Sequence, residues 1–396
     1  MTSRPVIRLK PKIDPRPLKR GFPWVYANQL VTDRRTRALP PGSIAALEDA
    51  ERQQLATVTI NPNSKIIARV LDPDPSTVID GAWLRTKAAR ALALRDAVYD
   101  TPFYRLIHAE ADGMPGTVVD RFGDALVIQP NAAWIENLLP EFADILCDLT
   151  GATCVFKNAQ GRARSLEGLD DVSLWVVGAQ DGPVAVPMNG AVYMADLATG
   201  QKTGLFYDQR QNHAFVGKLS RNCDVLDVFS HVGGFALAAL AQGALSALSV
   251  DGSEAALELA LRGAKETGVG ERFQTRKGDA FEVLQSLNVE GARFGSVICD
   301  PPAFAPSRSA RDSGLRAYEK VARLAAPLVA ADGFLTLCSC SQAADLAAFQ
   351  AASVRGIGRA GRRAQLLRIG YAGPDHPRLP ALEESGYLKA LTFRLA

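Results

Sequence analysis

The sequence has few residues that could form disulfides or bind a metal. Six cysteines occur in 396 residues, together with only four histidines. No two of the cysteines have the spacing Cys-x-x-Cys, since they are Cys147, Cys154, Cys223, Cys299, Cys338 and Cys340. A disulfide-stapled scaffold is therefore excluded, and a structural zinc site is not expected. We predict no metal site and a reducing, cytoplasmic setting.

Long apolar runs are lacking as well. The most apolar stretch, residues 235–250, is interrupted by Gln242, Gly243 and two serines. A membrane-spanning helix needs about 20 consecutive apolar residues. The first residues, MTSRPVIRLKPK, lack the apolar centre of a signal peptide. We therefore expect a soluble protein with no membrane partner.

Charge is spread unevenly along a chain of otherwise ordinary composition. Apolar residues make up 47% and charged residues 22%, as in average globular proteins. Residues 1–37 hold ten Lys or Arg against two acids, although the net charge of the chain is only +3. A second basic cluster consists of Arg355, Arg359, Arg362, Arg363 and Arg368. Such patches predict a polyanionic partner, and two solvated surfaces would explain them equally well.

The pattern of elements divides the chain into three predicted domains, which are residues 1–76, 77–189 and 190–396. In the first, turn residues separate three short β-branched segments, which predict strands of a small β-barrel over Ser43–Glu48, Gln54–Ile60 and residues 65–70. In the second, helical spacing predicts helices over residues 82–99 and 132–149, with a β-hairpin over residues 113–129 between them.

The third region alternates between strand and helix patterns. Strands are predicted over residues 224–229, 247–250, 273–277, 296–299 and 334–337. Helices are predicted between them over residues 235–242, 254–267 and 315–329. Repeated strand–helix units indicate an α/β fold in which helices cover both faces of a parallel sheet.

Polar residues follow these predicted strands at one edge of the sheet. They are Asp227, Gly233, Gly234, Asp251, Asp279, Asp300 and Cys340. In open α/β sheets the ligand lies outside the carboxyl ends of the strands. We therefore predict a ligand site at this edge.

The first turn of this edge has only the pair Gly233-Gly234. A dinucleotide fingerprint has three glycines around its pyrophosphate, so a nicotinamide oxidoreductase is disfavoured. S-adenosylmethionine (SAM) carries an adenosine but no phosphate. Asp251, 24 residues after Asp227, could accept both ribose hydroxyls, and Asp279 could meet the adenine edge. A tight turn with capping acids is the competing interpretation.

The segment Asp300-Pro301-Pro302-Ala303-Phe304 follows an apolar strand. Its prolines make the turn rigid and leave carbonyl groups free to accept hydrogen bonds. Phe304 could stack on a flat base. The segment predicts a clamp for a planar, amine-bearing target, and a proline-rich connection with a buried Phe is the alternative.

Cys340 lies in the run Cys338-Ser339-Cys340-Ser341 at the end of a predicted strand. A thiolate at this point could add to C6 of a cytosine and thereby make C5 nucleophilic enough to take a methyl group. Methyl transfer to an exocyclic nitrogen needs no cysteine. A cysteine can also be simply a small apolar core residue, which is what we expect of Cys299.

The stretch TGQKTGLFYDQR, residues 199–210, precedes the first strand of the third region. Its glycines and clustered polar residues predict a lid or cofactor-facing loop that leads into a helix. A plain surface loop would have a similar composition.

Several motifs together carry a resemblance to a known family. They are FPWV (22–25), YRLIHAEADGMPGTVVDRFGD (104–124), KTGLFYDQR (202–210), GGFAL (233–237), DPPAF (300–304), SCS (339–341) and HPRLPALEESGYLK (376–389). In these motifs, and nearly end to end, the chain resembles the large-subunit ribosomal RNA methyltransferase I family. Members of that family are SAM-dependent class I enzymes that form 5-methylcytosine in ribosomal RNA.

The resemblance implies a fold and a set of site residues. It implies an N-terminal PUA β-barrel that contacts RNA, a mixed α/β central domain and a Rossmann-like class I methyltransferase domain. Cys340 would be the nucleophile and Asp300 would orient the cytosine, while the base pocket would be lined by Pro301, Pro302 and Phe304. The SAM site would comprise Lys202, Thr203, Gly204, Phe206, Asp208, Arg210, Asp227, Ser230, Gly233, Gly234, Asp251, Gly252, Asp279, Ala280 and Asp300.

The resulting hypothesis is a SAM-dependent methyltransferase that forms 5-methylcytosine in large-subunit ribosomal RNA. One alternative keeps SAM and moves the methyl group to a base nitrogen. Another is a non-catalytic RNA-binding protein that takes part in ribosome assembly. Ribosomal RNA is the expected partner, and the sequence leaves the oligomeric state open, with a homodimer as one option.

Overall fold

The computed structural model describes residues 4–200 and 204–396. The chain forms two compact units. The first unit comprises the residues up to Gly182 together with Leu197–Gly204 and Pro374–Ser385. The second unit comprises Pro183–Asp196, Leu205–Gly373 and Gly386–Ala396. The chain therefore re-enters the first unit shortly before its end.

The N-terminal part of the first unit is a five-stranded sheet with the order β1-β3-β4-β5-β2. Its strands are β1 (Val6–Arg8), β2 (Trp24–Tyr26), β3 (Ser43–Glu48), β4 (Gln54–Ile60) and β5 (Ile66–Asp72), and its short helices are α1 (Arg16–Lys19) and α2 (Arg34–Arg37). The segment after β2 returns to β1, because Leu9 bridges Leu30 and the Val31 N–H donates to the Arg8 carbonyl at 2.9 Å. This closure produces the β-barrel that the sequence predicted.

The rest of the first unit is built around a second five-stranded sheet with the order β10-β9-β8-β7-β6. Its strands are β6 (Phe103–His108), β7 (Thr117–Phe122), β8 (Ala125–Pro130), β9 (Cys154–Lys157) and β10 (Leu174–Val177). Its helices are α3 (Gly81–Asp96), α4 (Ala133–Asn137), α5 (Leu139–Thr150) and α6 (Arg162–Glu167). Strands β7 and β8 form the predicted hairpin, and Trp83, Trp134 and Phe142 lie in the core that the helices build on this sheet.

One predicted helix of this region is wrong as a single element. The apolar spacing over residues 132–149 indicated one helix, whereas the chain forms α4 and α5 with a break at Leu138. Pro140 lies in the first turn of α5. Proline has no N–H to bond the preceding turn, so it is tolerated at the start of a helix and disfavoured in its interior.

A buried cluster of charged residues holds the re-entrant segment Pro374–Ser385 in the first unit. Asp375 is fully buried, and its carboxylate accepts hydrogen bonds from the Tyr99 hydroxyl and the Arg105 N–H at 3.1 Å each. The Arg95 guanidinium donates to the Asp375 carbonyl at 2.9 Å. The His376 ring lies 4.9 Å from the His108 ring. Burial lowers the pKa of His108 well below its usual value, so this ring is neutral.

The second unit contains a seven-stranded sheet with the order β15-β14-β13-β16-β17-β19-β18. Its strands are β13 (Asp224–Val228), β14 (Ser246–Asp251), β15 (Phe273–Lys277), β16 (Phe294–Cys299), β17 (Val329–Ser339), β18 (Ala364–Gly370) and β19 (Lys389–Leu395). The first five of these strands are parallel to one another, and β19 is antiparallel to both β17 and β18. A separate hairpin is formed by β11 (Val184–Met188) and β12 (Ala191–Ala195).

Helices cover both faces of this sheet, as predicted. They are α7 (Arg210–Leu219), α8 (Gly234–Ala241), α9 (Glu254–Glu266), α10 (Ala280–Val289), α11 (Arg311–Ala325) and α12 (Leu346–Arg359). Helices α10, α11 and α12 contribute to one continuous core with the central strands. Helices α8 and α9 pack on β14 and β15. None of the helices in the described ranges is long and apolar enough to cross a membrane.

The predicted helix over residues 315–329 is too long at its end. Helix α11 stops at Ala325, a 3-10 turn covers Ala326–Leu328, and Val329 already belongs to β17. Pro327 lies in that turn and cannot continue the helical hydrogen-bond pattern. Helix α12 and strands β18 and β19 were not predicted from the sequence. The antiparallel pairing of β19 with β17 and β18 departs from the strand–helix alternation before it.

The second basic cluster is partly neutralised by tertiary contacts. Arg355 and Arg359 both form salt bridges with Glu319 on α11. Arg362 donates to the Val329 carbonyl at 2.6 Å, and the Arg368 guanidinium lies over the Phe215 ring. Four of the five arginines therefore have partners within the second unit, while Arg355 and Arg359 keep more than half of their side chains exposed.

The contact between α11 and α12 depends on Gly356. A methyl group at this position would collide with the Glu319 carbonyl and lie 2.7 Å from the Ala322 side chain. We expect Gly356→Ala to lower the free energy of unfolding by about 1–3 kcal/mol through overpacking. Gly358, exposed on the same helix, has open space around it. Gly358→Ala should instead stabilise the protein by about 0.5–1 kcal/mol. Chemical denaturation measures the free energy of unfolding of both variants. A loss of stability in Gly358→Ala would contradict this account.

Candidate active site

The carboxyl ends of the central strands bring several predicted site residues together. β13 lies between β14 and β16, with Val228 opposite both Val250 and Cys299. The Ser230 N–H donates to the Val250 carbonyl, and the Asp300 N–H donates to the Val228 carbonyl. Asp227, Ser230, Asp251 and Asp300 therefore surround one point at the edge of the sheet, where the sequence predicted a ligand site.

The turn after β13 has an unusual backbone. Phe229 and His231 have positive φ angles of 62° and 50°, and Gly233 has a φ of 81°. Only glycine adopts such angles without strain, so the two non-glycine residues store conformational energy there. A side chain at Gly234 would approach the buried His213 ring to 2.8 Å. The glycine pair therefore lets the backbone turn tightly and lets α8 begin against His213.

Asp227 is a fully buried carboxylic acid at the centre of this edge. Its Oδ2 accepts the Ala236 N–H at 3.0 Å, and its Oδ1 has no partner among the described residues. Burial, together with the nearby carboxylates of Asp300 and Asp251, raises the pKa of Asp227 from its ordinary 3.8 to about 7, although the hydrogen bond from the Ala236 N–H lowers it. The buried Ser230 hydroxyl is also unpartnered within the described chain. Two unpaired polar atoms beside a glycine turn fit a polar ligand.

The carboxylates of Asp251 and Asp279 both accept hydrogen bonds from backbone N–H groups of nearby turns. The Asp251 carboxylate accepts the His231 N–H at 2.9 Å and the Ser253 N–H at 2.8 Å. Asp279 caps α10 by accepting the Phe281 and Glu282 N–H groups. The capping interpretation therefore describes the bonds of Asp279 in this structure. Asp251 instead joins the turns after β13 and β14, next to Gly252, whose Cα faces open space.

Gln209, which has no predicted role from the sequence, orients the Asp300 carboxylate. Its amide donates to the Asp300 Oδ2 at 2.9 Å and also bonds to the Cys338 thiol. The Gln209 amide oxygen accepts from Asn212 at 2.7 Å. Gln209 lies in the quoted motif KTGLFYDQR, so the motif contained the signal, but nothing in its composition distinguished this residue from its neighbours.

The predicted loop also places other residues near the strand ends. The Phe206 ring lies 5.0 Å from the His231 ring, and Asp208 accepts a hydrogen bond from the Tyr387 hydroxyl at 2.7 Å. The Arg210 guanidinium lies over the Tyr207 ring. Gly204 has a φ of 97°. Lys202 and Thr203 lie outside the described residues.

Phe304 packs in an aromatic cluster. Its ring centroid lies 5.0 Å from Tyr318, 6.2 Å from Phe281 and 6.3 Å from Phe229. The side chain is half-buried, Pro301 is buried and Pro302 is exposed. The alternative of a buried Phe in a proline-rich connection thus accounts for part of this segment, while the Phe304 side chain stays partly exposed.

The two cysteines after β17 have different environments. Cys338 is completely buried, which raises the pKa of its thiol well above the usual value, and the Asp300 charge adds to this effect. Cys340 is half-buried. The serines on either side of Cys340 both bond to the Tyr318 hydroxyl, Ser339 at 2.9 Å and Ser341 at 2.8 Å. This network fixes the backbone around Cys340.

The turn that carries Cys340 is also bound by Lys389 at the start of β19. The Lys389 ammonium donates to the Ser341 and Ala344 carbonyls at 2.7 Å each. Burial lowers the pKa of Lys389, and the acidic groups of Cys340 and Asp345, when ionised, oppose this shift. No group of three or more His, Cys, Asp or Glu side chains in the described ranges could hold a metal ion.

Two family models match the chain. Residues 7–73 match a PUA-like domain, and residues 136–394 match an S-adenosylmethionine-dependent methyltransferase. The predicted domain boundaries after residues 76 and 189 stay predictions, because the methyltransferase match begins before the second of them.

Curated relatives match the chain over nearly its whole length. A ribosomal RNA large subunit methyltransferase from Deinococcus radiodurans is 33% identical over 100% of this chain and 98% of that protein. A ribosomal RNA large subunit methyltransferase I from Erwinia tasmaniensis is 31% identical, with 96% of each chain covered. The chain belongs to the ribosomal RNA large subunit methyltransferase I family. Its resemblance to that family, stated from the motifs, is confirmed.

Solved structures support the fold of this methyltransferase family member. A Streptococcus mutans protein described as a SAM-dependent methyltransferase has a TM-score of 0.82 and 18% identity, covering 98% of this chain and 100% of that one. A methyltransferase crystallised with S-adenosylhomocysteine has a TM-score of 0.83 and 18% identity, and the match covers 98% of this chain and 99% of that one. The α/β methyltransferase fold with a PUA-like domain is confirmed, and SAM is the cofactor of this family.

The raised pKa of Asp227 predicts a pH effect on the stability of this methyltransferase without cofactor. Between about pH 4 and pH 7 the folded protein keeps a proton that the unfolded chain has lost, so this group makes stability fall as the pH rises. Asp227→Asn should reduce that fall by up to about 4 kcal/mol. Unfolding curves at several pH values measure how the free energy of unfolding changes with pH in each variant. Asp224→Asn, at the exposed start of the same strand, is the matched control, and equal slopes in both variants would refute the burial argument.

Proposed function

We propose that this protein methylates cytosine C5 in large-subunit ribosomal RNA and that Cys340 is its nucleophile. The observation that carries this proposal is the contrast between two thiols at the end of β17. Cys338 is sealed in the core with a raised pKa, whereas Cys340 is half-buried on a backbone fixed by Tyr318. A reactive cysteine has to be both accessible and positioned, and only Cys340 of this pair meets both conditions.

Ribosomal RNA as the substrate is supported by the relatives and by charge. The curated relatives are named as methyltransferases of large-subunit ribosomal RNA. The N-terminal segment, with ten Lys or Arg in residues 1–37, lies mostly in the PUA-like domain. Basic surfaces of this kind attract the phosphates of nucleic acids.

The proposed SAM site lies around the turn after β13. Asp251 would accept the ribose hydroxyls, and the unpaired Asp227 and Ser230 oxygens would face polar groups of the ligand. The further residues we assign to this site are Lys202, Thr203, Gly204, Phe206, Asp208, Arg210, Gly233, Gly234, Gly252, Asp279, Ala280 and Asp300. When bound, SAM supplies an electrophilic methyl group and leaves as S-adenosylhomocysteine.

The protein's own residues would prepare the cytosine for that transfer. The Cys340 thiolate forms a bond to C6, and the electron pair of the C5–C6 double bond becomes available at C5. Asp300, oriented by Gln209 at 2.9 Å, would bind the amine edge of the base. Pro301, Pro302 and Phe304 would line the pocket for the flat ring. The base would have to leave its stack to reach them.

The covalent bond to Cys340 has to be reversible. After C5 has gained the methyl group, its proton passes to a base, and the electron pair of the C5–H bond restores the C5–C6 double bond. The C6–S bond breaks and the thiolate is released. The net change is the replacement of the C5 hydrogen by methyl, with one proton set free.

A methylation assay tests the nucleophile. Undermodified ribosomal RNA and labelled SAM are incubated with wild type, Cys340→Ala and Cys338→Ala, and the nucleosides are identified by mass spectrometry. We expect 5-methylcytosine with wild type, a loss of more than about 100-fold in Cys340→Ala, and activity within about tenfold of wild type in Cys338→Ala.

Other outcomes separate the alternatives. A methyl group on a base nitrogen, or activity that survives Cys340→Ala, would overturn the thiolate mechanism. RNA binding without any transfer to RNA, with SAM bound, would favour the non-catalytic assembly protein.

Calorimetry tests the cofactor site separately. Asp251→Ala should weaken SAM binding by about 10–100-fold, because charge-assisted hydrogen bonds to the ribose are lost. Asp224→Ala removes an acid at the other end of the neighbouring strand β13 and should leave the affinity unchanged. NAD should give no binding heat. Unchanged SAM affinity in Asp251→Ala would remove this residue from the site.

A further inference from the structure

We propose that Lys389 is a positioning residue for Cys340, which holds the turn around the nucleophile and supplies the positive charge that favours its thiolate. The proposal rests on the proposed function of Cys340. It concerns a residue at the start of β19, the strand that returns antiparallel beside β17.

The geometry puts Lys389 in direct contact with the Cys340 turn. In the ladder between β17 and β19, Lys389 is opposite Ser339, the last residue before Cys340. From there its ammonium reaches the Ser341 carbonyl, one residue after Cys340, and the Ala344 carbonyl at the end of the turn, both at 2.7 Å. The Lys389 side chain thus hydrogen-bonds to backbone carbonyls that follow Cys340 in the chain, although Lys389 itself pairs with the residue before it.

The charge of Lys389 is unusual for its position. Only 6% of the residue is exposed, and burying an ammonium is costly unless an anion compensates it. The two carbonyls satisfy two of its three N–H donors but carry no net charge. Among the described residues Lys389 forms no salt bridge with a carboxylate. A thiolate at Cys340 would supply the missing negative charge.

The other ionisable groups near Lys389 and Cys340 do not supply this negative charge. Two groups that are negative when ionised act on the pKa of Lys389, and they are Cys340 and Asp345. Asp345, however, accepts a hydrogen bond from the Arg311 guanidinium at 2.8 Å and caps α12 through the Ala348 N–H. On α11, the nearby titratable group is the Tyr318 hydroxyl, which is neutral because burial raises its pKa.

A cation beside the thiol answers a chemical need of the proposed reaction. A free cysteine has a pKa of about 8.5, so only a few per cent is thiolate at neutral pH. A neighbouring positive charge stabilises the thiolate and lowers this pKa. Each unit of lowering raises the thiolate fraction about tenfold while the thiol predominates.

Three variants separate charge from hydrogen bonding. Lys389→Gln keeps two N–H donors for the carbonyls and removes the charge, Lys389→Met removes both, and Lys389→Arg keeps both. Lys218→Gln, on the exposed surface of α7, is the matched control. The first readout is the rate of Cys340 alkylation by iodoacetamide from about pH 6 to pH 10, with site occupancy read by peptide mass spectrometry. The Cys340→Ala protein identifies the signal of this peptide.

We expect the alkylation pKa of Cys340 to rise by about one unit or more in Lys389→Gln and Lys389→Met. It should stay within about 0.3 units in Lys389→Arg and Lys218→Gln. The acid limb of the methylation pH profile should move in the same direction as the alkylation pKa. SAM affinity, measured by calorimetry on each variant, checks that the fold is retained, and Lys389→Gln serves if Lys389→Met does not fold.

The outcomes also distinguish this proposal from the proposed function. An unchanged alkylation pKa in a folded Lys389→Gln protein would overturn the role of the charge, whatever happens to methylation. Methylation that survives Cys340→Ala would overturn the nucleophile instead, and the alkylation result would stand independently of it.

Discussion

The pairing of β13 with β14 on one side and β16 on the other is the constraint on which the site depends. From this central strand the chain runs outward to β14 and β15, then crosses to β16 and β17. The two turns that leave β13 and β16 must therefore separate at this point, and a crevice results. Asp227 lies near the end of β13, Ser230 follows that strand and Asp300 follows β16, so all three residues lie at this point of the sheet edge. The same pairing buries Asp227 and gives its carboxyl group a raised pKa.

A second constraint comes from the end of the chain. Strand β19 lies between β17 and β18 and is antiparallel to both, so its first residues lie at the same edge as the last residues of β17. Tyr387 and Lys389 thereby reach Asp208 and the Cys340 turn. An additional parallel strand would have placed its amino end at the opposite edge. The antiparallel return is what brings a buried ammonium beside a cysteine.

Much of the fold was predictable, because local pattern and tertiary structure agree over most elements. The strands β3, β4 and β15 have the predicted bounds, and α9 differs from its prediction by one residue. The errors occur where proline overrides an apolar pattern: Pro140 divides one predicted helix, and Pro327 ends another. Gln209 and Lys389 escaped prediction for a different reason. Their partners, Asp300 and Ser341, are 91 and 48 residues away, and no local spacing records such a contact.

The sequence by itself determined the class of the protein. Strand–helix alternation and the acids at strand ends led to an α/β fold with a ligand site at one edge of the sheet, because period and turn chemistry are local properties. The resemblance of several motifs to a known family then implied SAM as the ligand. The tertiary structure alone decided which of two neighbouring cysteines is partly exposed to solvent, since Cys338 and Cys340 differ in burial and not in local sequence. It also decided that Arg355 and Arg359 are paired with Glu319. Burial and long-range pairing arise only when distant segments pack together, and they set the charge and the accessibility of each group.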